Sequence, residues 1–408
     1  MPNIKKKVFL YVRGFLITTS IFIGVAILYY FHWKNLDGFL QSVNFGEPLF
    51  CDFDRHYYPM GKIIFFTKFP VQGYFYSPLF AMIMHLFSKF DLPTARFLWG
   101  IVQAALILNL CFISGVYFAL KEKKEFYFYL TSAAYLLSMP IIHGFRWGQI
   151  SVLLVILVFG SMYMYKKGKT VISALFLAFA AGIKYYPAVF LIYFLIKRDV
   201  KFIVWFFVFL FLFLCLIPGA ALGFKDTIVF YKFVNHFISE AVSWLPKAGD
   251  SQFMPHVLYR ITGQSKNFPF GLYKNLGIIV FILNVGLGYY LSRKKDINDI
   301  VLAYVFLFLT FPFIISTSWP HYFAYLPFCQ IYVLQLAIKN RMQNFGKWFA
   351  VVPVVISFVL SSSVLFIMYY SWMRYSYYGI LFFSNLFLLI GLYLSVSFCF
   401  KLKSVPLF

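Results

Sequence analysis

The chain has 408 residues, of which 62% are hydrophobic and 23% aromatic, and its mean hydropathy is +0.80. Soluble domains hold roughly 45–50% apolar residues, so this composition excludes an ordinary soluble protein and predicts an all-α polytopic membrane protein. The net charge of +23 does not make it a nucleic-acid binder, because the Lys and Arg residues fall in short clusters between apolar runs.

In chain order, Lys5, Lys6, Lys7 and Arg13 lead into a first apolar run from Gly14 to Phe31. That run lacks the small-residue cleavage pattern of a removable signal peptide and reads as a retained helix. A long segment from His32 to about Pro93 follows. Within it, the apolar stretch Ser77 to Phe87 is too short to span and predicts an interfacial helix. Further on, Val171 to Ile183 and Ala188 to Ile196 are each short, and predict two buried helices with Lys184 at their apex. A second long segment, about Phe224 to Asn275, contains Ile228 to Val242, whose pattern fits an amphipathic interfacial helix.

The basic clusters at Lys5 to Arg13, Lys121 to Lys124, Lys166 to Lys169, Lys197 to Lys201, Arg293 to Lys295, Lys339 to Lys347, and Lys401 with Lys403 read as cytoplasmic loops. The apolar runs then alternate without conflict if about 12 helices cross the bilayer. Both termini fall on the cytoplasmic side, and the segments 32–93 and 224–275 form one outer face of a single domain, 1–408. Shorter outer turns fall at His143 to Gln149, Lys184 to Pro187, Ser316 to His321, and Tyr370 to Tyr378. No internal repeat or low-complexity segment is visible.

The polar residues of that face carry the candidate chemistry. Asp52 and Asp54 lie among aromatic residues in Phe50-Cys51-Asp52-Phe53-Asp54-Arg55-His56-Tyr57-Tyr58. A carboxylate that loses hydration there gains proton affinity and can act as a general base. Their spacing of two puts both on one side of an extended segment but roughly 200° apart on a helix, so either can be the reacting acid. Lys184 interrupts an apolar stretch, and an ammonium against a low-dielectric wall stabilises phosphate charge. His321, within Ser316-Thr317-Ser318-Trp319-Pro320-His321-Tyr322, can donate to a phosphate or carry a proton inside an aromatic collar. Arg146 and Gln149, in Arg146-Trp147-Gly148-Gln149, and Gln252, in Asp250-Ser251-Gln252, add polar groups beside aromatics suited to a sugar.

Several chemistries find no motif. The five cysteines, Cys51, Cys111, Cys215, Cys329 and Cys399, show no zinc or redox spacing, and the histidines show none such as HExxH. No cofactor is indicated, although a divalent metal stays open. With no glycine-rich phosphate loop, GxSxG elbow or DxD sequence, a cytoplasmic nucleotide-sugar donor has no support, and any donor would be membrane-borne.

An ordered set of fragments resembles glycosyltransferase family 87, the polyprenyl-phosphate-sugar-dependent enzymes of GT-C architecture. It comprises Asp52-Phe53 with Tyr57, Tyr76-Ser77-Pro78-Leu79-Phe80, Gly148-Gln149-Ile150-Ser151, Gly182-Ile183-Lys184-Tyr185-Tyr186-Pro187, Ser251-Gln252 and Trp319-Pro320-His321-Tyr322. The resemblance extends over most of the chain. It implies an inverting transfer of a hexose, mannose by family expectation, from a polyprenyl phosphate to a lipid-linked or glycan acceptor at the outer face of a plasma (inner) membrane. The loop acid would be the base, Asp52 fitting best by its following Phe and Tyr, with Asp54 the alternative. Lys184, Arg146, His321 and Arg260 would supply the donor-phosphate contacts, and Tyr57, Gln149, Gln252 and Trp319 would contact substrate. Asp250-Ser251-Gln252 departs from the family's common Asn-Gln-Ser string. The rival reading is a transporter or flippase of lipid-linked sugars. It predicts repeat symmetry and charges at mid-membrane depth, whereas these charges cluster at helix ends.

Overall fold

A computed structural model describes residues 2–31, 49–122, 124–293, 300–339, 344–363 and 372–401. Residues 32–48 of the first long segment, 370–371 of the last outer turn, and the basic residues Lys123, Lys294, Lys295, Arg341 and Lys403 lie outside the described set. All regular elements among the described residues are helical. Among the described residues five helices are long and apolar enough to cross a membrane: Val8–Ile27, Leu92–Leu120, Val200–Leu222, Phe270–Ser292 and Ile380–Ser397. Four more, Ser151–Lys166, Thr170–Ile183, Tyr186–Lys197 and Trp348–Leu360, are apolar but shorter. The expectation of about 12 spans came from counting apolar windows, and such a window need not be one helix. The apolar run through Ile300–Phe308, for example, ends as a helix at Phe308, three residues before Phe311-Pro312 opens another turn.

The lipid-facing character is plain on Val200–Leu222, where mean hydropathy is 2.8 but only 11% of the apolar window is buried. Val204, Phe207, Val208 and Phe211 point outward. A face of this kind has a stable environment only in hydrocarbon. The helix is started by Asp199, whose carboxylate accepts from the Phe202 amide at 3.1 Å.

The chain divides into two compact units. One comprises Met1–Pro48, Gln103–Arg146 and Trp319–Phe408; the other comprises Leu49–Val102 and Trp147–Ser318. In the first, small residues let helices approach closely. At Gly14 an added Cβ would come within 2.1 Å of the Phe128 ring, and at Gly391 within 2.8 Å of Val354. Buried polar side chains tie further elements to these helices: Gln330 Nε2 donates to Ser357 Oγ and Ser361 Oγ at 2.9 Å each, and Tyr325 donates to Asn385 Oδ1 at 2.8 Å.

In the second unit, Tyr58–Ile63 packs on Pro78–Met84 with no room for a side chain at Gly61, where a Cβ would stand 2.6 Å from the Met84 carbonyl carbon. The amphipathic helix Phe224–Trp244 buries Phe230 and Val234 and exposes Phe224, Ile228 and Trp244. Phe233 meets the ring of Phe69 at 4.9 Å, and Asp226 pairs with Lys68 at 3.9 Å.

Candidate active site

The segment that carries both aspartates is helical, and its middle is a π turn, Phe53–Tyr57. Phe50 opens it in the left-handed region at φ 62°, and Phe53 is fully buried against Trp99, with rings stacked at 5.3 Å. The helix settles the geometry that spacing left open. Asp52 and Asp54 point apart, and each meets a different partner. Asp54 is held by Arg96, whose Nε donates to Oδ1 at 2.7 Å and whose terminal nitrogen forms an ion pair with Oδ2 at 2.5 Å. Asp52 is half-buried and accepts from Gln149 Nε2.

The π turn also explains why Asp52 and Tyr57 reach one target. Residues five apart point roughly 140° apart on an α-helix, whereas a π turn bonds residues five apart and brings them to one side. Gln149 accordingly meets both, giving its amide to Asp52 and accepting from Tyr57 at 3.1 Å. Gly148 delivers Gln149. Its φ of +71° suits glycine, its carbonyl accepts from Trp99 Nε1 at 3.0 Å, and a Cβ there would crowd Trp99, Phe50 and Phe53 at 3.1–3.3 Å.

Lys184 arrives from the end of Thr170–Ile183, where the backbone leaves the helix in an extended conformation. The strip preceding Pro78 lies along that end: Ser77 Oγ donates to Gly182 O at 2.5 Å, and Tyr74 donates to Ser77 O at 3.1 Å. This places the Tyr76 hydroxyl 3.0 Å from Lys184 Nζ, 2.6 Å from Tyr57 Oη and 2.8 Å from Gln149 Oε1. Asp52, Tyr57, Tyr76, Gln149 and Lys184 therefore form one connected buried network.

Burial sets its electrostatics. It pushes Asp52 up from 3.8 to about 7, opposed by the charge of Lys184, the Gln149 bond and Arg55, and reinforced by Asp250. It pulls Lys184 down from 10.5 to about 7, opposed by Asp52. The phenols of Tyr57 and Tyr76 are driven well above their usual range, again chiefly by burial, so both stay protonated. A carboxylate poised near neutrality beside fixed donors is the arrangement acid–base chemistry requires.

Around residue 250 the same unit holds a braced loop. Arg260 is buried and donates to Ala248 O at 2.8 Å and Ser251 O at 2.6 Å. Ser251 Oγ lies 2.7 Å from His256 Nδ1, and the Gln252 amide donates to Ser318 O at 2.7 Å. Burial, with Arg260 and Lys274, pulls His256 down to about 3. Arg260 is thus turned onto backbone carbonyls of this loop.

The first unit carries a separate polar cluster. His143 and Arg146, three residues apart on Met139–Trp147, are both buried, and the His143 ring lies parallel to that of His321 with centroids 5.7 Å apart. Trp319 is half-buried, with its ring 5.8 Å from His321. Burial lowers His143 to about 3. Among the described residues no group of three or more His, Cys, Asp or Glu comes together to hold a metal ion.

Of the residues the sequence singled out, Asp52, Tyr57, Gln149 and Lys184 fall in one network, Asp54 in an ion pair, Gln252 and Arg260 in the braced loop, and Arg146, Trp319 and His321 in the other unit. Reasoning from sequence missed Arg96, which no local pattern ties to Asp54. It gave Tyr76 no role of its own, although Tyr76 stands in one of the quoted fragments, and named His143 only as the start of an outer turn and one of several outer-side histidines.

An all-helical chain with lipid-facing spans and a buried acid–base network is an integral-membrane protein with the makings of a reaction centre. Residues 74–316 match the model of glycosyltransferase family 87, and the chain belongs to that family. It is a membrane glycosyltransferase, with a sugar donor and an acceptor as substrates. No curated protein and no solved structure matches it. The matched range contains Tyr76, Arg146, Gln149, Lys184, Gln252 and Arg260; Asp52, Asp54, Tyr57, Trp319 and His321 lie outside it.

Proposed function

We propose that the protein transfers a hexose, mannose by family expectation, from a polyprenyl-phosphate sugar to a lipid-linked or glycan acceptor at the outer face of a plasma membrane, with inversion at the anomeric carbon. Asp52 is the general base. Its carboxylate takes the proton of the acceptor hydroxyl while that oxygen bonds the anomeric carbon. The bond from that carbon to the donor's phosphate oxygen breaks, and its electron pair leaves with the lipid phosphate.

The single observation that carries this reading is the half-buried Asp52, raised toward neutrality by desolvation and held by Gln149, which Tyr76 links to Lys184. A base of this strength is ionised in a useful fraction at neutral pH and still takes a proton in the transition state. Asp54, neutralised by Arg96, is a framework residue in this reading. Gln149, Tyr57 and Gln252 orient the sugar and acceptor. His321, with the half-buried Trp319 beside it, and Arg146 are suited to a phosphate, since imidazole and guanidinium N–H groups donate to its oxygens. Lys184 supplies positive charge to the Asp52 network, and Arg260 holds the 248–252 loop in place.

The test is transfer of radiolabelled sugar from a panel of polyprenyl-phosphate sugars into lipid by purified, reconstituted protein, alongside Asp52→Asn. Transfer by the parent protein that is lost in the variant, with donor binding kept, supports the reading. Failure of every donor, together with movement of lipid-linked sugar across the vesicle bilayer, replaces it with a flippase.

A further inference from the structure

The direction of the hydrogen bonds within the Asp52 network says more than its membership. A protonated Lys184 has donors only, so Tyr76 Oη accepts from Nζ across 3.0 Å. Tyr76 gives its own proton to Gln149 Oε1 at 2.8 Å, and the other end of that amide donates to Asp52 Oδ2. The reverse orientation of Gln149 would set its carbonyl against the ionised carboxylate, which favours the side chain as described. Three successive donor-to-acceptor steps run one way, from ammonium to carboxylate. Tyr57 supports the middle of the chain, 2.6 Å from Tyr76 Oη and 3.1 Å from Gln149 Oε1.

We propose that Tyr76 and Gln149 form a polarised relay that brings the charge of Lys184 to bear on Asp52, making Tyr76 a positioning residue and Lys184 the group that sets the basicity of the reacting acid. Each bond of such a chain strengthens the next in a low-dielectric interior. The amide at its centre neither accepts nor releases a proton at neutral pH, so the relay passes electrostatic stabilisation and no proton. Its consequence for transfer rests on Asp52 being the base; the relay itself is a property of the resting protein. The other groups acting on Asp52 are Arg55, which favours the carboxylate, Asp250, which opposes it, the Tyr57 phenol, and Cys51, whose sulfur lies 4.0 Å from Oδ1. Of these, only the Tyr57 phenol touches the path from Lys184, at Tyr76 and Gln149.

A bland alternative is that the network only ties segments together, and Tyr76→Phe separates the two. The variant keeps the ring that packs on Tyr57 and Phe80 at 5.1 and 4.9 Å and lies 4.4 Å below the ammonium, and it removes only the hydroxyl. The experiment is an infrared titration of the protonated-carboxyl band in purified protein in lipid nanodiscs, the band being assigned to Asp52 by its loss in Asp52→Asn. Tyr76→Phe, Gln149→Leu and Lys184→Met should each raise the midpoint of that band by about one pH unit, because each removes stabilisation of the ionised form. The acidic limb of kcat/KM for transfer should move up with it. Midpoints unchanged in Tyr76→Phe and Lys184→Met, with only the KM for a polyprenyl-phosphate sugar raised in the latter, would overturn the relay and leave Lys184 a phosphate ligand. The infrared band reads the relay even in a protein that transfers nothing, so failure of transfer counts against the glycosyl-transfer reading alone.

Discussion

Replacing Asp54 by Asn tests whether the two neighbouring acids have separate jobs. In the parent protein the Asp54 carboxylate accepts one bond from Arg96 Nε at 2.7 Å and pairs with its terminal nitrogen at 2.5 Å, and its side chain is 9% exposed while that of Arg96 is 41% exposed. A hydrogen bond to a charged group is worth roughly 1.5–3 kcal/mol, but an exposed partner recovers much of that by solvation. Asn keeps one acceptor, turns a donor toward the second arm and removes the charge. The expected loss is therefore about 1–2 kcal/mol, on the order of a few degrees in the apparent midpoint of thermal unfolding. Arg96→Gln should cost a similar amount, and the double variant less than the sum of the two, because the sites share one interaction. Transfer assayed below the unfolding range should survive in Asp54→Asn and vanish in Asp52→Asn. A variant of Asp54 with parental stability and no transfer would refute the division and make Asp54 the reacting acid.

Three further outcomes follow from the same geometry. With Asp52 raised to about 7 by burial and active only when ionised, kcat/KM should fall about tenfold per pH unit below that value; a profile flat down to pH 5 excludes Asp52 as the base. Gly148→Ala should destabilise the protein by about 2–3 kcal/mol, from a left-handed backbone, crowding at Trp99, Phe50 and Phe53, and a strained Trp99 bond, and reduce transfer by displacing Gln149; parental melting and activity would contradict it. Arg260→Met leaves the Ala248 and Ser251 carbonyls without these donors, so cleavage by trypsin after the exposed Lys247 should quicken several-fold, and an unchanged rate would show that the loop holds without the guanidinium.

The helical and membrane character of this fold was readable because it follows from composition and periodicity, which act locally. The break at Lys184 was readable too, since a charged residue followed by Tyr185-Tyr186-Pro187 cannot continue an apolar helix, and the helix ends at Ile183. The first helix begins at Pro2, well before the expected Gly14, because basic residues next to an apolar run are good helix formers and need not end it. The number of full spans was not readable, since hydropathy averages over turns that interrupt a helix. Least accessible was the separation of Asp52 from Asp54. It depends on Arg96, 42 positions away, and on a π turn that no residue preference announces.

That π turn has a bearing on how related chains are to be compared. Its hydrogen bonding absorbs one residue more than an α-helical turn would, and that extra residue brings the acid and Tyr57 to the same amide. Substitutions inside Phe53–Tyr57 leave this ruler intact, whereas removing any single residue resets it and turns the acid away from Gln149. The interval between acid and tyrosine therefore acts as a length code. A chain that keeps both residues but shortens the interval by one should be read as having lost the pairing, however similar its letters remain.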